Sequence, residues 1–219
     1  MDTLQIVGKT LLVIFAFANV ALFIYSNRNR LGFAWSIWKR VKVGVVLECI
    51  IVLVLTITSV LLLMAYVPIM DTGWSNLFLK HSENILFAPM TEALSSSNAY
   101  IRILAPTFLI VLIMTIPFMA HMEENFFRKG YHDWKQIIWQ SIKFGFMHLV
   151  IGIPLACGVV WSGVGLFFAY KYKKTYEELE GKLSSSAQDE EAVLVSTTYH
   201  SVYNGLVISL LLVTVLMQL

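Results

Sequence analysis

The segment IRILAPTFLIVLIMTIPFMA, residues 101–120, runs directly into HMEENFFRKG, residues 121–130. This junction between a long apolar stretch and a pair of carboxylates decides how the chain is read. Twenty mostly apolar residues in an α-helix rise about 30 Å, the thickness of the hydrocarbon core of a bilayer. An ionised side chain in that core costs roughly 2.5–3.5 kcal/mol, so Glu123 and Glu124 at the end of such a segment need partners. Glu124 and Arg128 lie four residues apart, within pairing reach on a helix, while Glu123 is turned about 100° from its neighbour. One carboxylate is neutralised locally and the other is aimed elsewhere.

The rest of the chain fits a membrane setting. Of 219 residues, 58% are hydrophobic and 14% charged, and the mean hydropathy is +0.71; soluble domains sit near 45–50% and 25%. The expectation is an all-α, polytopic, integral membrane protein forming a single domain over 1–219, with the lipid bilayer as its immediate partner. The net charge of +2 and the lack of a clustered basic run leave no footprint for nucleic acid. Cys49 and Cys157 lie in apolar runs without metal-type spacing and read as small buried hydrophobes.

Six stretches are long and apolar enough to be read as spans: 10–26, 42–67, 101–124, 134–152, 154–172 and 195–218. Arg28, Arg30, Lys39, Arg40 and Lys42 fall in the first linker, Arg128, Lys129, Lys135 and Lys143 in the third, and Lys171, Lys173, Lys174 and Lys182 in the fifth. Six helices with these basic linkers in the cytoplasm place both termini outside. The turn-rich linker 68–100, with Trp74, Phe78 and Phe87, is expected as an outer-face loop carrying an interfacial helix. Residues 173–194, with a run of acids and Ser184-Ser185-Ser186, are expected as a mobile cytoplasmic loop. Gly152 and Pro154 mark a tight turn. Gly8-Lys9-Thr10 copies the tail of a phosphate-binding loop, but Thr3 stands where its first glycine belongs.

Two further pairs at i, i+4 spacing lie inside apolar segments: Phe144 with His148, and His200 with Asn204. Buried polar groups in membrane helices face the bundle interior or a water-filled cavity, so Glu123, His148, His200 and Asn204 are expected to converge on one cavity open to the cytoplasm. A carboxylate, two imidazoles and an amide make a hydrolytic set. Glutamate takes a proton from water, a histidine shares or relays it, and an amide with another imidazole donates to the oxyanion of a tetrahedral intermediate. Each pair alone has a plain structural reading, as helix-to-helix hydrogen bonding or an interfacial charge cluster. Three separated pairs in one short chain are harder to explain as packing. Glu48, inside the span 42–67, reads either as a supporting partner of the cavity or as a side chain reaching the interface.

Glu-Glu-x-x-x-Arg, Phe-x-x-x-His and His-x-x-x-Asn, in that order on successive helices, resemble the signature of the CPBP family of glutamic intramembrane proteases, which includes the CAAX prenyl endopeptidases. The resemblance covers the motif-bearing core, 101–210. It implies a metal-free, cofactor-free endopeptidase acting on a membrane-associated peptide or protein, with prenylated CAAX-type substrates in the class. Glu123 with His148 would activate water, His200 and Asn204 would hold the oxyanion, Glu124 and Arg128 would support the architecture, and Phe144 would shape the pocket floor. Two alternatives use the same residues differently. Glu123, His148 and His200 could ligate a catalytic zinc, or the polar cluster could fix helix packing in a membrane scaffold or immunity-type protein without proteolytic activity.

Overall fold

The computed structural model describes residues 25–73 and 99–217, together with Ala18 and Leu22. Every regular element among the described residues is helical: α1 Leu31–Lys39, α2 Val43–Tyr66, α3 Ala99–Phe127, α4 Trp134–Met147, α5 Leu155–Glu178 and α6 Ser185–Leu216. Short 3₁₀ turns lie at Arg28–Arg30, Pro68–Asp71 and His148–Ile151. Four helical stretches are long and apolar enough to cross a membrane: Val43–Tyr66, Pro106–Phe127, Leu155–Glu178 and Ser185–Leu216. Their outward faces remain apolar, as Leu47, Ile51, Val54 and Leu55 on α2 illustrate; such faces suit a lipid solvent, against which only the bundle interior needs polar partners.

The differences from the six expected spans have local causes. The stretch 10–26 falls almost wholly outside the described residues. The stretch 134–152 is divided, because the α-helix ends at Met147 and tightens into the 3₁₀ turn. Neither piece alone is long enough to cross, although end to end they reach about 29 Å. Of the expected outer loop 68–100, residues 74–98 lie outside the described residues, and 99–100 already belong to α3. The basic linker after residue 27 is itself helical, in α1.

The expected mobile loop 173–194 is mostly helix. α5 runs on to Glu178, α6 starts at Ser185, and the connection shrinks to six residues, 179–184. Ser184 caps α6 by accepting from the Ala187 backbone N–H, satisfying a donor that the helix leaves open. The acidic residues that made this stretch look disordered find distant partners. Asp189 pairs with His132 at 2.9 Å, Glu190 with Lys129 at 2.8 Å and Glu191 with Arg40 at 2.5 Å. The Tyr172 hydroxyl donates to Asp189 and accepts from the Gly130 backbone N–H, while His132 stacks on Tyr176 with ring centroids 3.9 Å apart.

α4 and α5 form the closest hairpin. Gly152 turns the chain at φ 84°, a left-handed conformation that glycine adopts without penalty, and Pro154 starts α5. Gly145 faces Gly158 and Ser162 so closely that an added Cβ would lie 2.3 Å from the Gly158 carbonyl oxygen and 2.4 Å from the Ser162 backbone nitrogen. Small residues at such a crossing let backbones meet, which is how helices associate where lipid removes the hydrophobic drive. α6 packs against both α3 and α5, α2 closes over α5 and α6, and α1 lies on α3. Phe127, Phe144, Phe168, Val202 and Tyr203 fill the centre. The Glu48 carboxylate on α2 meets Lys171 on α5, beside Tyr199, so it joins helices.

Candidate active site

Four elements carry the predicted residues and their surroundings, and contacts bring Glu123, His148 and His200 together, while Asn204 shares a helix face with His200. Near its end α3 presents Glu123 and Glu124; α4 presents Phe144, with His148 at the first position past the helix; α6 presents Ser196, His200 and Asn204 one turn apart; α5 supplies the aromatic wall between them. α3 and α4 touch little, and the two are joined through α5 and α6.

The two adjacent glutamates have opposite surroundings. Glu124 is fully buried, and every oxygen has a partner: Oε1 accepts from His200 Nδ1 at 2.8 Å, while Oε2 accepts from the Ser196 hydroxyl and faces Arg128 Nε at 3.5 Å. Glu123 keeps 31% of its side-chain surface, yet its Oε2 is buried and has no hydrogen bond among the described residues. That oxygen lies 3.7 Å from His200 Nε2 and 4.0 Å from His148 Nε2. These gaps are too long for direct hydrogen bonds. A water 2.8 Å from both Glu123 Oε2 and His148 Nε2 would subtend an angle of about 90° between them, close to what its two O–H bonds can serve.

The partners fix the ring tautomers. His148 Nδ1 lies 2.8 Å from the Phe144 carbonyl oxygen, which can only accept, so Nδ1 carries the proton and Nε2 offers a lone pair toward Glu123. An ionised Glu124 can likewise only accept, so His200 Nδ1 is protonated, and Nε2 becomes a donor when the ring is an imidazolium. The rings sit in an aromatic box. Phe144 meets His148 and His200 edge-on at 4.8 and 5.5 Å, Trp161 meets His148 at 4.9 Å, and Phe168 stacks on His200 at 4.6 Å. This wall keeps bulk solvent from His200, which is 1% exposed.

Arg128 is 1% exposed and rests over the Phe144 ring at 4.8 Å and the Phe127 ring at 5.6 Å. Its guanidinium nitrogens make no well-aligned hydrogen bonds among the described residues. Burial lowers its pKa, Glu124 and Glu123 oppose that shift, and a guanidinium stays charged regardless. It therefore acts on Glu124 chiefly as a charge. Asn204 is half-buried one turn beyond His200, on the same side of α6.

The sequence expectation of local pairing between Glu124 and Arg128 is met, but Glu124 is also the acceptor for His200 and Ser196, which i, i+4 spacing within one helix does not reveal. Ser196, Trp161 and Phe168 were not singled out. Ser196 was legible as the residue one turn before His200 on the same face; the aromatic wall carried no local signal. A cavity of about 480 Å³ lies apart from these groups, between α1 and α3, lined by Leu31, Trp35, Trp38, Val111, Met114 and Phe118. Comparison of the chain with models of protein families, with curated proteins and with solved structures finds no match.

Proposed function

We propose that this chain is a multi-pass membrane endopeptidase of the glutamic intramembrane type, which the three motifs resemble, and that it hydrolyses a peptide bond in a membrane-associated substrate. The observation that carries the reading is the buried Oε2 of Glu123, without a hydrogen bond among the described residues, facing the Nε2 atoms of two imidazoles whose Nδ1 atoms are both engaged. An unsatisfied buried carboxylate oxygen costs at least about 1–3 kcal/mol, and a site that attracts and polarises water offsets that cost. In this reading the full chain crosses six times with both termini outside. The end carrying Arg40, Lys129 and Lys173 faces the cytoplasm, as the basic linkers suggest, and the catalytic cavity opens on that side.

The water donates one O–H to Glu123 Oε2 and the other to His148 Nε2, which turns a lone pair toward the scissile carbonyl. As the new C–O bond forms, Glu123 takes a proton; the carbonyl oxygen becomes an oxyanion held by His200 Nε2–H and the Asn204 amide. The C–N bond then breaks, and Glu123 returns its proton to the departing amine. Glu124 keeps His200 oriented and balances its charge as an imidazolium, and Arg128 holds Glu124 ionised. Peptides ending in a prenylated CAAX sequence are one substrate class to try first.

A second reading, a zinc ion on Glu123, His148 and His200, is favoured by those Nδ1 contacts, since ligating histidines commonly anchor their second nitrogen in this way. The spacing is less favourable. Ligands 2.0–2.1 Å from a tetrahedral zinc sit about 3.3–3.4 Å apart, whereas Oε2 is 3.7 and 4.0 Å from the two nitrogens. The test uses the purified full chain in detergent micelles with membrane-associated peptides, prenylated and not. Glu123→Gln should lower turnover about 10²–10⁴-fold without lowering the thermal midpoint, and a zinc-selective chelator should leave wild-type turnover intact. Native turnover in Glu123→Gln would overturn the mechanism, and chelator inactivation rescued by zinc would select the metal reading.

A further inference from the structure

Glu124 faces two competing partners, the His200 imidazole and the Arg128 guanidinium, and one hydroxyl decides how its carboxylate is divided between them. Oε1 bonds His200 Nδ1 at 2.8 Å, while Arg128 Nε stands 3.5 Å from Oε2, too far for a good hydrogen bond. The terminal carboxylate torsion of glutamate is broad and roughly two-fold. Nothing intrinsic to Glu124 therefore stops the group from swinging toward the guanidinium, whose three nitrogens lack aligned partners among the described residues, and away from the imidazole. Ser196 supplies the restraint. It is fully buried, its Oγ donates to Oε2, and it sits one turn before His200 on α6, so one helix face delivers a donor to each carboxylate oxygen. The Phe168 carbonyl lies 3.0 Å from the same hydroxyl, but a hydroxyl has one proton, and an ionised acceptor makes the stronger bond.

We infer that Ser196 is a positioning residue for the proposed hydrolysis: by holding Glu124 Oε2 it keeps Oε1 on His200 Nδ1, and so keeps His200 Nε2 directed at the reacting atoms. The inference rests on the proposed function for its catalytic meaning, but its structural core can be tested without a substrate. Among the described residues, the charged and titratable groups that contact His200 or its partners are Glu123 and Glu124 of α3, Arg128 just beyond that helix and, across Glu123, His148 after α4, while from α5 the Phe168 ring stacks on it. An imidazole without an acceptor at Nδ1 prefers its Nε2–H form. When His200 is neutral, its remaining proton thus reports directly on Glu124.

The full chain, labelled with ¹⁵N-histidine, contains five histidines, and single His→Gln variants assign their signals. At high pH, wild-type His200 should carry its proton on Nδ1. Ser196→Ala, which removes only the hydroxyl, should shift His200 to the Nε2–H form or a mixture and leave the His148 signals unmoved, while Ser196→Thr should retain the wild-type tautomer. With a cleavable peptide, Ser196→Ala should lower kcat about 10- to 100-fold, the range for losing a group that orients a reacting imidazole, with KM unchanged. An unchanged His200 tautomer in a folded Ser196→Ala protein would overturn the inference. So would a rise in KM with kcat unchanged. If Ser196→Thr fails to fold, the Ser196→Ala spectrum alone still decides. If wild type cleaves no peptide, the proposed function fails while the tautomer result separately upholds or refutes the role of Ser196 toward Glu124.

Discussion

Gly145→Ala adds one methyl group at the tightest point of the bundle, and the geometry fixes what must follow. The new Cβ would lie 2.3 Å from the Gly158 carbonyl oxygen and 2.4 Å from the Ser162 backbone nitrogen, against about 3.3–3.6 Å for an ordinary close carbon–oxygen contact. Both obstacles are backbone, so no rotamer change relieves them, and α4 must part from α5 by about 1 Å. Overpacking of this kind costs roughly 1–3 kcal/mol, and in a chain of this size each kcal/mol lowers the thermal midpoint by about 2–4 °C. The functional loss should be larger. Phe144 and His148 ride on the displaced helix, and about 1 Å of misplacement of a reacting group costs on the order of 10²-fold in rate. The assay pairs thermal unfolding in micelles with peptide turnover, and Gly163→Ala serves as control because a Cβ there meets nothing within 4 Å. Wild-type midpoint and turnover in Gly145→Ala, or equal damage from Gly163→Ala, would refute the close-packing argument.

Glu124→Ala should destabilise by about 3–5 kcal/mol, because it leaves a buried guanidinium without its counter-charge and a buried imidazole without its acceptor, and Arg128→Ala should fall in the same range; thermal midpoints well below that of Glu123→Gln would bear this out. Tyr172→Phe should cost about 1–3 kcal/mol, because the fully buried side chain loses its two hydrogen bonds, to Asp189 and from Gly130, at about 0.5–1.5 kcal/mol each, whereas Arg40→Ala, which breaks a pair 37% exposed on both sides, should cost under about 1 kcal/mol. Denaturation midpoints that rank Arg40→Ala above Tyr172→Phe would contradict the burial argument.

What the sequence made legible was local, periodic or strongly apolar. The helical class, the span around residues 43–66, the turn at Gly152-Ile153-Pro154 and the Glu124–Arg128 pairing all depend on neighbours within a few positions. Periodicity also placed His148 and His200 toward the interior, and both face Glu123. The segment 173–194 misled because its stabilising partners are remote: Asp189, Glu190 and Glu191 pair with His132, Lys129 and Arg40, so a count of local charges reads disorder where a network holds a helix. The division of 134–152 had a signal that was passed over, because a chain that must turn sharply at Gly152 tightens before it. The crossing at Gly145 gave no signal in α4 alone, since only the facing Gly158 and Ser162 reveal why the residue has no side chain.

In the proposed mechanism, the adjacency of Glu123 and Glu124 lets one short stretch of α3 carry two incompatible duties. A carboxylate that holds a histidine must be saturated with donors and fixed, while one that takes a proton from water must keep an oxygen free. Glu124 meets the first requirement, being buried with both oxygens engaged, and Glu123 meets the second, through an Oε2 with no hydrogen bond among the described residues. The 100° between consecutive helical positions separates these environments without a second helix. His200 links the two, through Nδ1 to Glu124 and Nε2 toward Glu123. Exchanging the carboxylates for amides one at a time should therefore give unlike defects: loss of chemistry in a stable protein at 123, and loss of both order and chemistry at 124.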